Sequence, residues 1–154
     1  MKTYPQKPPM TGDERAAFLQ KAPIARLGSI NADGTVHLVA LWFKHEAKSG
    51  DLLFGTQDMT RKVRNIKRNP KVTVLIDTEG VQPKGVLIYG HAELEYRDVM
   101  AKQAAIFERY MPREQAIKSA EEMASHHTAV IIRVRPLRLS SYDYAKEGMV
   151  AIRG

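Results

Sequence analysis

The chain contains no cysteine, which excludes disulfides, thiolate metal sites and cysteine nucleophiles. No apolar run approaches the ~18 residues of a membrane-spanning helix. The polar stretch Met1 to Met10 carries three prolines and lacks the apolar centre of a secretory signal. With neither signal nor cysteine, the expected location is the cytoplasm. Ten glycines and eight prolines beside 44% hydrophobic residues exclude a collagenous or disordered chain. There is no Gly-x-Gly-x-x-Gly, Walker or Gly-x-Ser-x-Gly motif, so the familiar nucleotide and hydrolase sites have no support. His126 and His127 are adjacent, so on a strand they face opposite ways. A surface role is expected for them, and no metal site.

What remains is 154 residues, the size of a single domain. Residues 1–10 read as a flexible arm and residues 11–154 as one folded unit. The net charge is +7, and it is concentrated. Six basic residues and no acid lie between Arg61 and Lys71, so the rest of the chain is nearly neutral. The functional question is which anion that segment serves.

Thr11-Gly12-Asp13-Glu14 has the form of a capping box, so a short helix is predicted up to Pro23. Ile24 to Ile30 reads as a strand, Asn31-Ala32-Asp33-Gly34 as a hairpin turn and Thr35 to Lys44 as a second strand. That second strand is apolar on both faces, which predicts a central position covered on both sides. Further strands are predicted at 52–56, 71–77, 85–96 and 128–134, with 136–144 irregular or a short final strand. Helices are predicted to about Arg68 from Asp58 or Thr60, over 97–110, and from Pro112 to about Ser125. Short antiparallel strands with tight turns and interposed helices predict a mainly β fold, a six-stranded antiparallel split β-barrel with flanking helices. A parallel α/β sheet is excluded by the first hairpin, which is too tight for a crossover.

The basic segment opens a helix directly after a strand. Free N–H groups and the positive dipole end make a helix start an anion site. Thr60, Arg61 and Lys62 place a hydroxyl, a guanidinium and an ammonium there, a set that suits one phosphate. Arg64, Lys67, Arg68 and Lys71 continue along the segment, either reading a longer acidic tail or facing solvent. Nucleic acid binding is disfavoured, because the segment has no interleaved aromatic residue and no helix-turn-helix pattern around it.

Phe54-Gly55-Thr56, Thr60-Arg61-Lys62, Asn69-Pro70 and the Gly90-x-Ala92 of the fifth strand, in that order and spacing, resemble the pyridoxamine 5'-phosphate oxidase-like family of flavin-binding split barrels. The resemblance spans roughly 23–96. It implies that Arg61, Lys62 and Thr60 hold the cofactor phosphate, that Thr56 contacts the ribityl-phosphate region, and that Gly55, where the true oxidase has an aromatic, leaves room at the cofactor. It implies that His37, Val39, Ala40, Leu41 and Trp42 lie along the ring, with Lys84 approaching from the other side. It implies a homodimer with the cofactor at the subunit interface. His37 and Trp42 stand where the true oxidase has Arg and Lys, and the oxidase's C-terminal Arg-x-His element has no counterpart. The resemblance is therefore to the short members that use FMN or the deazaflavin coenzyme F420. It implies hydride transfer to or from a small molecule. No acid–base residue is assigned; His37, Trp42 and Tyr142 or Tyr144 are candidates for the substrate side. The alternatives are a flavin- or haem-binding protein without turnover and, less favoured, a nucleic-acid-binding barrel.

Overall fold

The computed structural model describes residues 9–147. The expected arm falls largely outside them, but Met10 belongs to the core. It is 5% exposed, and its N–H donates to Ser141 Oγ at 2.9 Å. The capping box forms as read: Glu14 N–H donates to Thr11 Oγ1 and Thr11 N–H to Glu14 Oε2, opening α1 (Gly12–Lys21).

Seven strands build one antiparallel sheet: β1 (Ala25–Ile30), β2 (Val36–Leu41), β3 (Lys44–His45), β4 (Leu52–Gln57), β5 (Lys71–Asp77), β6 (Lys84–Glu95) and β7 (Ala129–Asp143). Their order is β2-β1-β5-β6-β7-β4-β3. The two edge strands are consecutive in the chain and joined only by Trp42 and Phe43. Three residue steps reach at most about 11 Å, so the sheet must curl until its edges nearly meet. This is the half-closed split barrel. Leu27, Phe54, Val74, Ile88 and Ile132 fill its interior with little or no exposure.

Three expectations are corrected. The count is seven strands, because the long strand over 35–44 breaks after Leu41. There the Phe43 N–H donates to Tyr110 Oη at 3.1 Å and its carbonyl accepts from Arg109, so side chains replace the ladder. The second strand is an edge strand, not a central one: Val36 and Leu38 are 66% and 63% exposed. Apolar residues on both faces read alike whether or not the chain itself covers the second face. The stretch 136–144 is regular, the second half of β7 up to Asp143, followed by a 3-10 helix Tyr144–Glu147. Pro136 is tolerated because it lies past the end of β4's pairing, opposite Gly90 at a register shift. A Cβ on Gly90 would stand 2.6 Å from Val134 Cγ1, so the bulge needs a glycine.

Helix α2 (Arg61–Arg68) closes one end of the barrel. Its thin apolar stripe, Val63 and Ile66, enters the core, and Asn65 donates to Ser29 Oγ and Asn31 Oδ1 on the first hairpin. Helix α3 (Val99–Phe107) packs against β4 and β7, with Ile106 on Leu53 and Ile131, and α4 (Arg113–His126) packs on α3.

Candidate functional site

The start of α2 is built against electrostatic expectation. A helix N-terminus favours acids, yet the first turn of α2 carries none and opens on Arg61 and Lys62. The N-cap Thr60 makes no side-chain cap; its hydroxyl donates instead to the Gln57 carbonyl at 2.9 Å. Asp58, the other capping candidate, is engaged by Lys67 Nζ at 3.0 Å and by Tyr96 Oη. Among the described residues, the first-turn N–H groups therefore have no side-chain acceptor. Arg61 is exposed and makes no ion pair among the described residues, with the Asp33 carboxylate within its electrostatic reach, and Lys62 is buried at 8% exposure with no described carboxylate against it. Burial pushes the Lys62 ammonium below the usual lysine range. Two cations and unpaired N–H groups at a positive helix end leave an excess of positive potential that an anion would relieve.

The structure also divides the remaining basic charge. Arg64 donates to the Met59 carbonyl, Lys67 pairs with Asp58, and Arg68 donates to the Ile30 carbonyl and to Asn65 Oδ1. Lys67 and Arg68 are thus committed to holding α2 in place.

Five residues before Thr60, Gly55 opens a crevice of about 290 Å³. Ala40, Leu41 and Trp42 from the end of β2 form one side, and Gln103, Ile106 and Phe107 of α3 the other. Its volume is near the lower end of the roughly 300–1,000 Å³ typical of ligand clefts. Trp42 stacks on Tyr110 at 4.4 Å and meets Phe107 edge-on at 5.7 Å. Arg109 braces this wall: besides the Phe43 carbonyl it reaches Tyr110 Oη and the carbonyls of Gln20 and Ala22.

Of the residues expected at the cofactor, the structure gathers Ala40, Leu41, Trp42 and Gly55 in this crevice. His37, Val39 and Thr56 lie elsewhere. His37 and Val39 stand opposite the buried Ser29 and Leu27, and Thr56, 4% exposed, shares the inward face of β4 with core Phe54. Lys84 is remote from the phosphate cradle within one chain. It opens β6, whose far end leads to Tyr96 beside Asp58, and its ammonium sits 5.8 Å from the Phe18 ring centroid. Tyr142 and Tyr144 lie near Lys84: Tyr142 pairs with Gly85, and the two tyrosine rings meet edge-on at 5.7 Å. Burial, reinforced by Asp77, pushes the Tyr142 phenol upward.

Sequence reasoning missed Gln103, Phe107, Arg109 and Tyr110. The available signal was helical spacing. Val99, Gln103 and Ile106 recur at i, i+4 and i+7, which puts an amide on a buried face.

Comparison with known proteins agrees with this fold. The conserved hypothetical protein Rv2991 from Mycobacterium tuberculosis superposes with a TM-score of 0.83 at 24% identity, covering 100% of this chain and 97% of its own. A structure described as F420 reductase gives 0.63 at 26% identity, covering 80% and 94%. The heme storage protein HutZ from Vibrio cholerae gives 0.65 at 17% identity, covering 83% and 92%. No curated protein matches the chain significantly. Residues 11–142 match the family described as pyridoxamine 5'-phosphate oxidase. The chain therefore belongs to the pyridoxamine 5'-phosphate oxidase family, and its curled antiparallel sheet is the split barrel of that family.

Proposed function

We propose that the chain is an oxidoreductase that binds FMN or coenzyme F420 and exchanges a hydride with a small molecule. The observation that carries this reading is the buried Lys62, without an acid partner among the described residues, beside an exposed Arg61 on an acid-free helix start. A phosphate there would pair with both cations and accept from the unpaired N–H groups of α2. The residues fit such a group: the cradle lacks only an anion, and the crevice five residues away is walled by apolar and aromatic side chains. When bound, the cofactor supplies the hydride chemistry; the protein orients it and sets its surroundings. Trp42, Leu41 and Phe107 would exclude water from the ring, and Arg61 and Lys62 would fix its phosphate end. The similarity to an F420 reductase supports the reading. The absence of cysteine suits a cytoplasmic setting.

The proposal includes a homodimer. The outer face of the sheet carries an apolar groove of about 390 Å³ lined by Gly28, Ile30, Val36, Thr73, Tyr89 and Leu137. Val36, Leu38 and Leu137 are 63–76% exposed around it. An apolar patch of this kind beside an open edge strand suits a second copy of the chain. That copy would be the source of Lys84 and Tyr142 at the cofactor, since one chain holds them away from its own cradle.

Titration of the purified protein with FMN and with F420, followed by absorption, tests the reading. Saturable binding of either with a perturbed ring spectrum is expected. Binding of neither overturns it. Binding without turnover of any electron acceptor or donor would leave a carrier, and selective binding of haem would favour a haem protein instead.

A further inference from the structure

Among the described residues, Gln103 Oε1 is the fully buried side-chain polar atom left without a hydrogen-bond partner. Gln103 is 2% exposed and lines the crevice from α3. Its carboxamide lies directly over Gly55. A Cβ at that position would fall 1.5 Å from Oε1 and 2.5 Å from Nε2. Gly55 thus makes room for the amide, and any side chain there would displace it.

Packing alone does not call for this arrangement. The neighbours Leu41, Ile106 and Phe107 are apolar, and a leucine would fill the same space without burying an unsatisfied carbonyl. An unpaired amide and a glycine that admits it are explained together if a ligand in the crevice completes the hydrogen bonds. A carboxamide presents a donor and an acceptor side by side in one plane, whichever way it is turned. Its complement is a planar edge with an N–H next to a carbonyl. Flavin and deazaflavin rings share such an imide edge.

We propose, resting on the cofactor reading above, that the Gln103 carboxamide reads the imide edge of the ring bound in the crevice, with Gly55 kept free of a side chain to permit it. Arg61 and Lys62 would then hold one end of the cofactor and Gln103 the other. The pair would select for a phosphate and an N–H donor, while tolerating either atom at the ring position where flavin and deazaflavin differ.

Fluorescence titration of the full-length protein with FMN and with N3-methylated FMN tests this, beside thermal melting of the ligand-free protein. Wild type is expected to prefer FMN over the methylated form by roughly tenfold or more, because a site built to hydrogen-bond an N–H rejects its blocked analogue. Gln103→Leu is expected to bind FMN roughly tenfold more weakly, to lose the preference and to melt no lower than wild type, since it removes an unpaired buried group. Gly55→Ala, which keeps the glutamine but displaces it, is expected to lose the preference as well, and decides the matter if Gln103→Leu does not fold. Arg61→Ala is expected to bind both forms more weakly and to keep the preference. No preference in wild type, or a preference retained in Gln103→Leu, overturns the assignment and leaves the cofactor reading standing. If F420 alone binds, unchanged F420 affinity in Gln103→Leu overturns it, and a comparable loss upholds it. If wild type binds neither cofactor, the cofactor reading falls and the assignment falls with it.

Discussion

Lys62 carries a charge whose burial is a cost to the fold. It is buried, without an acid partner among the described residues, and at the positive end of a helix. Burial holds its ammonium below the ordinary lysine value of 10.5. The unfolded chain therefore binds that proton more tightly than the folded one, so the charge destabilises the ligand-free fold at neutral pH. The penalty fades as pH rises from the depressed value toward 10.5. Lys62→Met is expected to melt higher than ligand-free wild type at neutral pH, with the gap closing in alkali; calorimetry across that range checks it. The same residue should matter in the opposite sense for binding. Arg61→Ala and Lys62→Ala are each expected to weaken FMN or F420 binding by about 1.5–3 kcal/mol, the scale of a charged hydrogen bond. Unchanged affinity in both variants would place the phosphate elsewhere.

At the scale of elements, Arg133 holds the hairpin of β3 and β4 to the centre of the sheet. From β7 it donates to Glu95 Oε1 at the end of β6 and to Glu46 and Asp51 flanking that hairpin, at 2.5, 2.6 and 3.0 Å. The bonds from Arg133 hold the Glu46 carboxyl below its usual range. Burial pushes Glu95 up, but bonds from Arg133 and Lys102 outweigh it and the net direction is down. Removing the guanidinium leaves three carboxylates facing one another. Arg133→Ala is expected to cost about 3 kcal/mol at neutral pH, the low end for breaking a buried pair because the acids are partly exposed. Carboxyls with depressed folded values contribute stability above their ordinary 4.5 and lose it as pH falls through the lower folded values. The difference between wild type and variant should therefore shrink in acid, which urea unfolding at neutral and acidic pH measures. A second element-level test lies at the β6–β7 bulge. A methyl on Gly90 would meet Val134 Cγ1 at 2.6 Å and the Arg135 carbonyl at 2.8 Å. Gly90→Ala is expected to cost about 1–3 kcal/mol through overpacking, visible as a lower melting temperature.

For the molecule as a whole, the curled sheet leaves one apolar face uncovered. Leu38 stands on the edge strand at 63% exposure beside the outer groove. In the proposed homodimer it would be buried against a second copy. Leu38→Lys is then expected to turn a dimer into a monomer in sedimentation and to weaken cofactor binding together with it, because in that proposed dimer the second copy would supply Lys84. A monomeric wild type would remove this part of the proposal. The net charge of +7 belongs to this scale too. Within the basic run, Lys67 pairs with Asp58, while Arg64 and Arg68 donate to neutral oxygens and keep their charge.

Local chemistry written in consecutive residues was legible without a structure. The Thr11–Glu14 box, the Asp33-Gly34 turn, the alternating strands and the Thr60-Arg61-Lys62 helix start each depend on neighbours a few positions apart, and each formed. Residue pattern and motif order together also pointed to the antiparallel barrel and its family. Tertiary structure decided what distant segments do to one another. It put β2 at an edge, because pairing partners rather than apolarity set a strand's place. It broke the chain at Trp42, where Tyr110 and Arg109, more than sixty residues away, take over the backbone hydrogen bonds of Phe43. It laid an unpaired Gln103 over Gly55. A glutamine on a helix gives no warning of what it will lie against; that contact exists only once the sheet has curled and α3 has packed across it. The anion the sequence asked for was local, and the crevice that would receive the rest of the molecule was not.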